Sequence, residues 1–295
     1  MTIRDDTLGR TELAPDRPFY APGLMLGAED FTAEQLYHRA RLARTLAYLH
    51  GGGTIAGLVI SHRPASGTTE EQLRVGPGLA VDRLGRMIEV PRPWCLPLAR
   101  WYAAQEEDVL DAAVFANVPI TGEPDPAAVT PPPALTTTNV SGVVADVFIR
   151  FVNCDRAKTP AFQTGAFDAL DAVVPARVRD AFDVTLAPRT DLLLPADPLG
   201  DLGGIADVPA RRAAWRWRVL RAWREPGNWG DELVLTREPE HPTGVDPSSL
   251  FLGRIVIPAD ATAGAPTRRN EPVAVDNYAR RFVPSGAALA SWLGL

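Results

Sequence analysis

Lysine is almost missing from this chain: Lys158 is the only one, and nearly all of the positive charge is carried by arginine. A GC-rich genome accounts for that bias better than a demand for bidentate contacts does. Two cysteines, Cys95 and Cys154, are too few for a disulfide framework or a metal cluster, and both are expected to be small core hydrophobes. No run of about 18 apolar residues is available to span a bilayer. The first residues, MTIRDDTLGRTELAPDRP, also lack the continuous apolar stretch of a secretory leader. A cytoplasmic origin and no direct membrane span are therefore expected.

Histidine is scarce and scattered, with His38, His50, His62 and His241 in no paired-ligand spacing. His38 and His50 stand about 18 Å apart along one expected helix, too far to share a metal. No GxSxG elbow is present. His50-Gly51-Gly52-Gly53 resembles an oxyanion motif only superficially, because it follows a helix and precedes a strand, the reverse of the order that chemistry requires. The same order rules it out as a phosphate cradle, and it reads as a helix terminator. The acidic pairs Glu29-Asp30, Glu70-Glu71 and Glu106-Glu107-Asp108 read as helix-start or solvated-loop charges. His241 with Asp246 and Ser248 or Ser249 is the one grouping that could suggest a hydrolase. No catalytic residue, cofactor or metal is expected.

What is present in quantity is apolar residue and punctuation. The 295 residues are 46% hydrophobic, with 28 prolines and 24 glycines, which suits many short strands joined by turns. A net charge of -6 and a pI near 5.3 give no global attraction for nucleic acid or an anionic surface, so protein partners are expected.

Residues 1–18 read as a flexible arm. Asp30 or Thr32 can cap a helix running to His50, with Gln35 completing a capping box. Leu36, Ala40, Ala43, Leu46 and Ala47 form its buried stripe, widened by Leu42 and Leu49. Ile55–Ser61 is expected as one strand, followed by strands paired about Asp82-Arg83-Leu84-Gly85, with Leu79, Val81, Met87, Ile88 and Val90 apolar. Residues 94–115 are a strand leading into a short helix, or a strand pair. Six prolines in 119–139 exclude regular structure there and mark a boundary, with a linker or long loop over 116–141.

Beyond it, Val143, Ala145, Val147, Ile149 and Phe151 alternate with polar Asp146 and Arg150 as in a half-buried strand. Residues 209–224 are expected to be helical, 250–258 a strand, 259–272 a loop, and the last eight residues a short docking helix. The segments are thus an arm at 1–18, a helix-plus-β module at 19–115, the linker, a second β-rich domain at 142–258, and a terminal loop and helix at 259–295. The fold class is mainly β (α+β): an N-terminal helix packed on a β-shell or sandwich, then a β-rich part with a short Arg/Trp helix.

That last helix is unusual in composition. Arg211, Arg212, Arg216, Arg218, Arg221 and Arg224 interleave with Trp215, Trp217 and Trp223, and Trp229 lies nearby. Such a segment can bury its tryptophans and snorkel its arginines, stack on single-stranded nucleic acid, or contact protein. The protein interface is taken forward, as Arg212, Trp215, Arg216, Trp217, Trp223, Trp229 and, from the terminal helix, Trp292.

Residues 19–98 resemble small proteins encoded with phage-tail-like contractile injection systems and, more weakly, the shell domain of TssK-type baseplate subunits. The similarity rests on Phe19, Gly23, Leu26, Asp30, Phe31, Gln35, His38, His50, Gly51, Gly53, Gly57, Leu58, Gly78, Leu79, Asp82, Gly85 and Ile88. Gly52 departs from it, where a bulky aromatic is expected. The resemblance implies a baseplate or adaptor-type structural protein assembled into a particle. Its partners would be baseplate, sheath or membrane-anchor subunits or copies of itself. A receptor-, carbohydrate-binding or cargo protein, with Trp101 and Trp229 as stacking platforms, is the alternative.

Overall fold

A computed structural model describes residues 3–4, 16–122, 135–160, 173–197, 200–222, 235–260 and 266–295. Most of the arm, the centre of the proline-rich stretch, and Trp223, Arg224 and Trp229 lie outside the described residues. The chain is α+β, with an N-terminal helix preceding three antiparallel sheets.

Helix α1 spans Ala28–His50. Its N-cap is Gly27, whose N–H donates to Asp30 Oδ2 at 2.8 Å. Asp30 therefore serves from inside the first turn rather than as the cap residue itself. Ala40 and Ala43 are buried and Leu36, Leu46 and Ala47 half-buried, whereas Leu42 and Leu49 face outward at 61% and 67% exposure. The stripe that packs is thus narrower than the sequence suggests. Gly51, at φ 65°, ends the helix by donating to the Ala47 carbonyl.

The strand expected over 55–61 is two strands. β2 (Gly53–Gly57) joins β5 (Gly78–Val81) and β6 (Met87–Val90) in one sheet, while β3 (Ile60–Arg63) joins β4 (Gln72–Val75) and β7 (Trp94–Pro97) in another. The break is at Gly57 and Leu58, both at positive φ, which turn the chain from one sheet into the other. A Cβ on Gly57 would lie 2.2 Å from the Pro77 carbonyl, so the crossing strands admit no side chain there. Residues 94–115, left as two alternatives by the sequence, form β7, two short helices α2 (Leu98–Ala103) and α3 (Glu107–Ala112), and the start of β8 (Val114–Thr121).

The third sheet is built on β9 (Thr137–Pro160), the longest strand. One edge of β9 takes β8 and then β10 (Val173–Pro188); the other takes β11 (Leu250–Asp260) and then β1 (Ile3–Arg4). Regular structure therefore enters the proline-rich stretch from both ends, because Pro119 sits opposite Asn139 within the β8–β9 ladder. Proline is tolerated on an edge strand whose outer N–H positions need no partner. The short β13 (Ala274–Asp276) pairs with β11, as does β12 (Thr267–Arg268) within the segment expected as a loop.

Val143, Ala145, Val147, Ile149 and Phe151 all face the main core, as their alternation requires, against Leu58, Ile60, Leu73, Val75 and Ile88. The other face of β9 is not solvated, however. Val144 packs with Val118, Ile120 and Val256, and Phe148 with Phe251 and Val245. Parity on β11 switches between Leu250/Leu252 and Ile255/Ile257 because a bulge at Gly253 inserts one residue. Cys154 is buried as expected, but Cys95 is exposed.

Candidate functional site

Three features could carry function: a polar cleft, a buried charge cluster, and two outward-facing helix surfaces.

The cleft, of about 740 Å³, lies between the β3–β4 strands and the 268–272 segment. At its wall, Glu71 accepts from Arg268 Nη1 at 2.5 Å and bonds His62 Nε2 at 2.6 Å. Glu71 is therefore an interior linker rather than a solvated-loop charge, and Arg268 with His62 holds its carboxyl below the ordinary value of 4.5. Because the folded state binds that proton more weakly than the unfolded one, the pairing stabilises the fold above about pH 4.5 and is lost as pH falls through the lower folded value. Comparing wild type with Glu71→Gln by chemical denaturation should show a stability gap at neutral pH that closes on acidification. A gap unchanged between neutral pH and about pH 3 would contradict the pairing. Arg100 pairs with Glu70, and Arg269 approaches Asp260 and Glu271, so these charges at the cleft answer one another. Trp101 is half-buried against the main core and is not a free stacking platform.

The possible hydrolase grouping serves a turn. His241 Nε2 donates to the Ser249 carbonyl at 2.8 Å, and its Nδ1 accepts from the Glu238 N–H at 3.3 Å. Its ring stacks on Phe148. Asp246 accepts from the Ser248 N–H. Both ring nitrogens are thus committed to backbone, and neither meets a serine hydroxyl.

The charge cluster centres on Asp146, fully buried on β9. Arg254 meets it with two bonds, at 2.8 and 2.9 Å, and Arg189 Nε stands 3.4 Å away. The remaining donors of Arg254 reach the Leu192 and Leu193 carbonyls, and Arg189 reaches Asp191 and the Glu240 carbonyl. Its period-2 position marked Asp146 as solvent-facing; instead it ties β9, β11 and the 189–193 segment together. A second staple is Asn277, whose amide donates to the Ile60 carbonyl and accepts from the Ile60 N–H, replacing a missing strand partner. Arg280 donates to the Leu58 carbonyl, with burial pushing its guanidinium down to about 10, still charged at neutral pH. Neither role has a sequence signature.

Helix α4 (Val208–Arg221) starts at Asp207, which accepts from the Ala210 N–H. It packs on α5 (Gly286–Leu293) through its inner side. Arg212 donates to the Leu293 and Gly294 carbonyls, and Arg211 lies 4.5 Å over the Trp292 ring. Arg212 and Trp292 are accordingly half-buried at this intramolecular seam and Trp215 is half-buried too, while Arg216 and Trp217 face out. The helix buries no residue fully. Trp217 is 58% and Leu220 80% exposed, with Arg221 over the Trp217 ring at 4.5 Å. Of the proposed interface residues, the structure thus splits an inner set from an outer pair, and Trp223 and Trp229 lie outside the described residues.

Ahead of α1, residues 19–26 are all exposed, with Phe19 at 81% and Met25 at 93%, and Phe31 is an exposed apolar side chain in the first turn of the helix. Several turn glycines sit where the fold demands them. A Cβ on Gly85 would meet the Ala43 carbonyl, and one on Gly78 the Ala56 carbonyl. At Gly52 a Cβ would already be 3.0 Å from Leu250 and 3.1 Å from Arg83, so those side chains fill the space an aromatic would take.

Fold and surfaces together define an α+β protein of three antiparallel sheets with exposed apolar helix faces that have no cover among the described residues. Among known proteins, no family model matches the chain and no curated protein is significantly similar to it.

Proposed function

We propose that this chain is a non-catalytic structural component of a phage-tail-like contractile particle, a baseplate or adaptor-type subunit that works through protein–protein contacts. The observation that carries the assembly role is the set of exposed large apolar side chains on and just ahead of α1, from Phe19 through Met25 to Phe31, which have no cover within the described chain. Surfaces of this kind mark interaction sites, since water contact is unfavourable by roughly 25 cal/mol per Å² of apolar area. The particle is suggested by the resemblance over 19–98, whose turn glycines and buried Asp82 occupy structurally required positions.

Trp217→Ser and Leu220→Ser should change folding stability by no more than about 0.5 kcal/mol, because neither side chain packs in a core. A larger loss in denaturant unfolding would place them in the fold rather than at an interface. Affinity purification of the tagged chain from its native host, with mass spectrometry of the eluate, tests the particle: tube, sheath and baseplate proteins are expected, and their absence would contradict it.

A further inference from the structure

The outward face of α4 has a spacing of its own. Ala210, Ala213, Trp217 and Leu220 recur at alternating three- and four-residue steps and are all exposed, on the side opposite α5. That is the seam of a helix built to lie along another helix. Arg216 and Arg221 border it, and the whole of Val208–Arg221 carries five arginines and no acid.

Helix α1 presents the complementary surface. Phe31, Gln35, His38, Leu42 and Leu49 lie along one exposed line at the same kind of spacing, away from the buried Ala40 and Ala43. At its N-terminal half the charge is of one sign. Residues 18–37 contain Glu29, Asp30 and Glu34 and no lysine or arginine. There the exposed strap of residues 19–26 adds Phe19 and Met25. Around α3, the other described α-helix with acidic residues in its first turn, only Val109 is exposed as a large apolar side chain, too little to cover the Trp217–Leu220 pair.

We infer that α4 of one copy docks on the strap and N-terminal half of α1 of a second copy, Trp217 and Leu220 against Met25 and Phe31, with Arg216 and Arg221 facing Glu29 and Glu34. This deepens the assembly reading by naming the chain itself as a partner, and it rests on that reading. The two surfaces differ, so the contact is head-to-tail: each docked copy leaves one α4 face and one strap unused, and copies add until a ring closes or a filament forms.

Head-to-tail contacts have a diagnostic complementation. Trp217→Glu with Leu220→Glu disables one surface, and Met25→Arg with Phe31→Arg the other. In analytical ultracentrifugation the wild-type chain is expected to form dimers and larger species as concentration rises. Each double variant should remain monomeric, and their equimolar mixture should stop at a heterodimer, since only one intact pair of surfaces remains. Arg216→Glu should weaken wild-type association by about tenfold or more, and Arg216→Glu mixed with Glu34→Arg should recover part of that loss. Circular dichroism of each variant verifies that it is folded. A wild-type chain monomeric at about 100 μM, or a mixture that stays monomeric, overturns the contact. So does a monomer that instead floats with anionic vesicles, which would assign α4 to a lipid surface. If the chain is monomeric yet co-purifies with tube and sheath proteins, the self-contact fails while the assembly role stands; a self-assembling chain without such partners is the converse.

Discussion

Asp146→Asn is expected to lower the free energy of unfolding by about 3–5 kcal/mol. Two guanidiniums converge on this fully buried carboxylate, and removing its charge strands Arg254 in the interior and takes one of two carboxylate partners from Arg189. Coulomb attraction is strong there because water is excluded, and the cost of leaving Arg254 without a counter-charge is correspondingly high, while Arg189 keeps Asp191. The loss should show as a shifted midpoint in guanidinium unfolding. Asp146→Leu combined with Arg254→Met keeps one arginine, Arg189, tied to Asp191 and the Glu240 carbonyl, and should be less damaging than Asp146→Asn alone. A drop below about 1 kcal/mol for Asp146→Asn would mean that the cluster is solvated.

Gly85→Ala is expected to destabilise by about 2–4 kcal/mol, from a left-handed backbone that alanine disfavours and from forced overpacking. Gly85 has φ 79°, and its added methyl would lie 1.7 Å from the Ala43 carbonyl on α1. The helix must move away from the β5–β6 turn to admit it. Hydrogen exchange would localise the effect: α1 amides should lose protection while those of β9 keep theirs. Uniform loss across both would show that α1 and the large sheet unfold as one unit.

These two sites differ in how legible they are. Gly85 lies in a turn visible in the sequence between Val81 and Met87, although its contact with α1 is a tertiary fact. Asp146 was legible only as a polar break in an apolar alternation, and that pattern points to solvent when one face of a strand is open. Here β9 has covers on both faces, so the break marks a buried ion cluster. Helix α1, the 78–90 hairpin, the core face of β9, α4, β11 and α5 follow from periodicity and turn chemistry, because local spacing determines them. The split of β2 from β3 does not, since Leu58 at positive φ is imposed by the crossing at Gly57 and Gly78. Asn277 and Arg280, which complete the backbone of Leu58 and Ile60 from more than 200 positions away, could not be paired with them from sequence. The interface residues were legible as a composition, but which arginines and tryptophans face outward depends on where α5 packs.

Density-gradient sedimentation of native-host extract, with the chain followed by antibody, tests the central claim most directly. The wild-type chain should sediment with intact contractile particles, and Trp217→Glu with Leu220→Glu should shift toward the slow fractions at unchanged cellular abundance. Wild-type chain found only in the slow fractions, while tube and sheath sediment without it, would contradict the assembly account.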